Sequence, residues 1–131
     1  MTPGTDLAGC LRQAVTGYLD HLEREPGLEQ LMLELTLHAV RDPALRPLAA
    51  RQYAVYTAAA TRLLEQAAEL SGARWRRPPA ELARLLVTLV DGATTTWLVD
   101  RDTAATRAVL DAAVDQLVAR HAELPGAGVP G

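Results

Sequence analysis

The sequence predicts an all-α fold, a bundle of five helices joined by short connections. Three observations predict it. Apolar residues recur at spacings of three and four along almost the whole chain, which places them on one face of each helix. Clean apolar–polar alternation over four or more residues, the mark of a half-buried strand, does not occur. Helix-starting Asp and Pro and helix-ending Gly interrupt the helical pattern where connections belong.

The first helix carries Leu7, Leu11, Ala14, Val15, Tyr18, Leu19 and Leu22 on one face. Thr5 or Asp6 can cap its start, and Glu25-Pro26-Gly27 ends it, because proline disfavours helix at the preceding residue. The second spans residues 28–40, with Leu28, Leu31, Met32, Leu35 and His38 on one side and Leu33 and Leu37 on another. It is apolar around much of its circumference, which predicts a central place in the bundle.

Asp42-Pro43 starts the third helix, since Asp accepts the orphan N–H groups and Pro at the first position loses no hydrogen bond. That helix runs to about residue 70, where Ser71-Gly72 closes it; Pro47 either splits off a short leading turn or kinks it. A basic loop, Arg74-Trp75-Arg76-Arg77, leads to Pro78-Pro79 and a fourth helix over 79–99. The turn Asp100-Arg101-Asp102-Thr103 supplies a cap for a fifth helix to about residue 124, and 125–131 reads as a frayed tail. Residues 1–124 are thus expected to form one helical domain.

The 131 residues suit one domain of ordinary size. They include 24 Ala, 22 Leu, 10 Val and 13 Arg but no Ile, Phe, Lys or Asn. The missing types share AT-rich codons, which points to a GC-rich bacterial genome. With 49% hydrophobic and 22% charged residues the composition is globular, not disordered. The net charge of −3 argues against nucleic-acid binding through the chain's own surface, because phosphate neutralisation needs a local excess of base. Three arginines in the 74–77 loop, within an acidic chain, read as solvated surface.

A lone cysteine, Cys10, excludes an internal disulfide framework and reads as a small buried residue. No CxxC or Cys/His cluster suggests a metal, and no cofactor motif is present. Apolar stretches are broken by charge short of the roughly 20 residues of a membrane span. The start, Met-Thr-Pro-Gly-Thr-Asp, lacks the basic and apolar regions of a signal peptide, so a cytoplasmic location is expected. No enzyme is expected either. Gly-rich phosphate loops, GxSxG and HExxH are absent, Ser71 is the only serine, and nothing orients Cys10 toward His21 or His38.

The order of signals carries a resemblance. A helix ends in YLDHLEREPGL, the next leads into RDPALRPLAARQYAVYTAAATRLLEQAAELSG, and PAELARLLVTLVDGATTTWLVD precedes a final amphipathic helix. This order resembles the C-terminal ligand-binding and dimerisation domain of TetR-family transcriptional regulators, in the broad group that includes the choline-responsive type. It covers roughly Asp6 to His121, and Arg41–Arg46 and Leu89–Gly92 are its most specific parts. The resemblance implies a bacterial regulator with a helix-turn-helix head ahead of this domain. No recognition helix or basic arm is apparent in this sequence, so the expectation is a regulatory segment without DNA contact of its own.

The resemblance also implies a pocket among the second, third and fourth helices, suited to a small apolar or amphipathic effector. Its candidates are Met32, Leu35 and His38, then Tyr53, Tyr56 and Thr57, then Thr88, Asp91, Thr95 and Trp97. A homodimer through the last two helices is implied as well. Its candidates are Leu86, Val90, Ala93 and Trp97 on the fourth helix, and Ala105, Val109, Ala112, Ala113, Gln116 and Arg120 on the fifth. Gly92 costs about 1 kcal/mol against Ala in a helix, a cost that close approach of a helix or ligand would justify. The alternative reading is a non-sensing helical module that pairs with intact regulators; it predicts dimers without a useful pocket.

Overall fold

The computed structural model describes residues 1–2 and 4–126, and it is all-α apart from one minimal strand pair. Five helices follow one another: α1 (Leu7–Arg24), α2 (Pro26–Arg41), α3 (Arg46–Ser71), α4 (Pro79–Asp100) and α5 (Thr103–His121). Two-residue strands β1 (Arg74–Trp75) and β2 (Ala122–Glu123) pair antiparallel. The expected tail lies beyond the described residues from 127 onward.

The capping chemistry explains most boundaries. Asp6 Oδ1 accepts from the Gly9 N–H at 2.7 Å, and Asp102 Oδ1 from the Ala105 N–H at 2.9 Å. Asp42 also caps, accepting from the Ala44 N–H at 2.9 Å. Residues 43–45 nevertheless form a separate turn, and α3 begins at Arg46 with Pro47 in its first turn. Gly72 ends α3 with φ +74°, a left-handed conformation that costs glycine least. Arg101 ends α4 with φ +56°, and its guanidinium stacks 4.8 Å from the Trp97 ring centre.

Three sequence expectations need correction. Pro26 opens α2 instead of belonging to a longer break, because a first-turn proline sacrifices no hydrogen bond. The fifth helix stops at His121 because the next two residues pair with the Arg74-Trp75 loop; the Arg76 N–H donates to the His121 carbonyl at 2.8 Å. The apolar α2 is peripheral, not central. Ala39 is its only buried residue, while Leu28, Leu31, Leu35, Leu37 and Val40 stand exposed.

Two core clusters hold the rest. The first joins Leu7, Cys10 and Leu11 of α1 with Leu64 and Ala67 of α3, Leu82 and Ala83 of α4, and Val114 and Leu117 of α5. Trp75 closes it, donating its indole N–H to the Leu64 carbonyl at 2.8 Å. The second joins Leu19, Leu22, Ala93, Trp97 and Leu110. α4 is long and apolar enough by length and composition to cross a membrane, but here it packs against α3 and α5 with five residues buried. A core helix satisfies the same composition test.

Candidate functional site

A partly open cavity of about 750 Å³ lies where the two core clusters meet, and all five helices line it. Each contributes one face, as helical spacing dictates. α1 supplies Leu11, Ala14, Val15 and Tyr18; α2 supplies Glu29, Met32, Leu33 and Thr36. α3 supplies Tyr53, Tyr56, Ala59, Ala60 and Leu63. From α4 come Leu86, Val87, Val90, Asp91 and Thr94, with Leu89, Gly92, Thr95 and Thr96 along a more exposed margin. α5 adds Leu110, Ala113, Val114 and Leu117. The wall is mostly apolar, and its volume falls within the range of small-molecule sites, about 300–1,000 Å³.

The polar groups in this wall are hydroxyls and carboxylates. Tyr53 donates to Asp91 Oδ2 at 2.6 Å. The Tyr56 hydroxyl accepts from Gln52 Nε2 at 2.6 Å, and the Tyr53 and Tyr56 rings meet edge to face at 5.4 Å. Tyr18 and Thr94 share a hydrogen bond across α1 and α4. Because the Thr94 hydroxyl already donates to the Val90 carbonyl at 2.8 Å, Tyr18 is the donor. Glu29 Oε1 lies 2.7 Å from His21 Nε2.

These groups feel one another. Burial pushes the Tyr18 phenol up to about 12, and the negative charges of Glu29 and Asp91 add to the shift. Burial also raises Tyr53, and its hydrogen bond to Asp91 and the charge of that carboxylate raise it further. Both phenols are therefore neutral donors at neutral pH.

The structure brings together Met32, Tyr53, Tyr56, Asp91 and Thr95 of the expected pocket residues. Leu35 and His38 are exposed on α2, and Thr88 is exposed on α4; none of the three lines the cavity. Thr57 also falls outside the lining, and its hydroxyl donates to the Tyr53 carbonyl at 2.9 Å. Trp97 sits in the second core cluster, 3% exposed, with its indole N–H on Thr103 Oγ1 at 3.0 Å. That burial places it away from both expected roles within this chain.

The expected interface residues divide in the same way. Ala93 is buried, while Leu86, Val90 and Ala113 face the cavity. Ala105, Val109, Ala112, Gln116 and Arg120 lie exposed along α5. Leu85, Leu89, Gly92 and Val99 are exposed along α4, and a Cβ built on Gly92 would meet nothing within 4 Å.

Sequence reasoning missed the contributions of α1 and α5, Tyr18 above all, and on α2 it missed Glu29. A tyrosine on the apolar face of α1 and a glutamate inside an apolar helix were the available signals. The sequence model of the family described as BetI-type transcriptional repressor, C-terminal, matches residues 8–121. No curated protein and no solved structure matches the chain.

Proposed function

This chain belongs to the family of BetI-type transcriptional repressor C-terminal domains, and from that premise we propose that it binds a small, largely apolar effector in the five-helix cavity and acts as a homodimer. Such domains are regulatory parts of transcriptional repressors, and TetR-type domains generally dimerise and bind small-molecule effectors. The observation that carries the reading is the cavity itself. Native interiors are close-packed, with few voids larger than a water molecule. A space of about 750 Å³ left between Leu, Val and Tyr side chains is unfavourable unless something fills it. A module that only paired with other regulators would have no need of that space.

α1, α4 and α5 all contribute to the wall, so an occupant that presses on Tyr18 or Thr94 also acts on the packing of α1 against α4. This is how a ligand with different affinity for two helix arrangements biases one of them. The exposed α4 and α5 faces supply the dimer surface in this reading. Small residues at Gly92, Ala105 and Ala112 permit close helix approach, and Leu85, Leu89 and Val109 supply apolar area. The same proposal takes residues 1–124 as a single helical regulatory and dimerisation domain.

Titration with the neutral apolar dye N-phenyl-1-naphthylamine tests the cavity. We expect saturable fluorescence enhancement in the wild type and weaker binding in Ala14→Leu, which narrows the void from α1. Absence of saturable binding, or equal binding by the variant, overturns the reading. Sedimentation of wild type and Val109→Glu tests the dimer: the wild type is expected at twice the chain mass and the variant as a monomer. A monomeric wild type contradicts it.

A further inference from the structure

We propose that the occupant of this cavity is a protonated lipophilic amine, an apolar body bearing an ammonium whose N–H donates to the Asp91 carboxylate. The inference rests on the effector-binding reading above and names the chemistry that the site selects.

Charge is the first argument. Glu29 and Asp91 both line the cavity, and no Arg or His is among its lining residues. Glu29 has a partner in His21 at 2.7 Å. Asp91 has no cation within ion-pair distance among the described residues; Tyr53 donates to its Oδ2 at 2.6 Å, and no side chain or backbone N–H donates to Oδ1. Asp91 is thus a half-buried carboxylate with one oxygen open toward a mostly apolar space and no counter-charge beside it. An ammonium supplies both the charge and the missing donor. A carboxylate or phosphate ligand would meet two like charges instead.

Aromatic placement is the second argument. Tyr18, Tyr53 and Tyr56 line the same cavity as the two carboxylates, and the negative charges of Glu29 and Asp91 both reach the Tyr18 hydroxyl. Ring faces carry negative potential and attract a cation that approaches them. The remaining wall, including Leu63, Val87 and Leu117, is aliphatic and suits an apolar body. The open Oδ1 of Asp91 favours an N–H donor over a quaternary ammonium, which has none to give.

Competition against N-phenyl-1-naphthylamine tests this with four ligands that share one ten-carbon chain: decylamine, decanol, decanoate and decyltrimethylammonium. Decylamine is expected to displace the dye about ten- to a hundredfold better than decanol, the range of one charge-assisted hydrogen bond. Decanoate is expected to be weakest, and decyltrimethylammonium is expected to fall short of decylamine. In Asp91→Asn, where the amide oxygen can still accept from Tyr53, the advantage of decylamine over decanol should disappear. Decanol matching decylamine, the quaternary ion matching it, or an unchanged preference in Asp91→Asn overturns the inference and leaves the effector cavity standing. Failure of the dye and of all four ligands to bind would overturn both.

Discussion

The two sides of the bundle are built from similar residues and packed differently. Where α1, α3, α4 and α5 meet, Leu7, Cys10, Leu64 and Ala83 are essentially without solvent contact, and Trp75 is pinned over them by its hydrogen bond. α2 has more than enough leucine to join such a core, yet only Ala39 is buried. Its inward face (Glu29, Met32, Leu33 and Thr36) borders the cavity instead of a partner helix. Apolar content therefore does not decide whether a helix is central; the number of neighbours that cover it does. The packed side fixes the frame, and the α2 side is the part of the wall held by the fewest buried contacts.

Truncation should expose this difference most strongly. Leu64→Ala is expected to cost about 2–5 kcal/mol, the transfer loss plus the cavity left in a close-packed site. Leu35→Ala, on the exposed side of α2, should stay within about 0.5 kcal/mol. Urea unfolding of both variants checks the pair, and equal losses would erase the distinction.

A smaller effect belongs to the seam between α1 and α5. Arg12 pairs with Asp115, and Arg107 donates to Thr16 at 3.0 Å. Helical spacing puts Asp111 between these two contacts, where its Oδ1 is buried without a partner. Asp111→Ala should therefore stabilise the fold by about 1 kcal/mol, because it removes a desolvated acceptor that gains no bond. A loss of stability in the same urea assay would mean that the carboxylate contributes more than its contacts indicate.

The last effect concerns the cavity side and appears only at high pH. Tyr18 ionises near 10 when unfolded and at about 12 when folded, so the folded state holds its proton longer. Its contribution is complete below pH 10 and is lost as pH rises toward 12. Stability should fall across that window, and Tyr18→Phe should flatten part of the fall. An identical pH profile for the variant would show that Tyr18 does not couple to folding.

The helices were legible because their signals are local. Asp6, Asp102, Pro79 and Gly72 act within one turn of where they stand, and each marks a boundary in the structure. The β1–β2 pair was not legible, because two residues carry no periodicity and the pairing joins segments far apart in the chain. The position of α2 was hidden for the same reason, since coverage depends on neighbours. The cavity was partly legible. Tyr53, Tyr56 and Asp91 follow from helix faces plus family resemblance, whereas Tyr18 and Glu29 enter only once α1 and α2 are placed in space. The place of Trp97 was not legible, because a large aromatic on an apolar face fits a pocket, an interface or a core equally well; its burial in the second core cluster depends on packing.

Hydrogen exchange with and without N-phenyl-1-naphthylamine tests the central claim most directly, that α2 is the loosely held wall of a ligand cavity. In the free protein, the amides of Pro26–Arg41 should exchange faster than those of α1, α3 and α5, since few buried contacts oppose local opening. Adding the dye should slow exchange in α2 more than in any other helix. Protection of α2 equal to that of α1 in the free protein, or a dye that leaves α2 unchanged, would contradict the account.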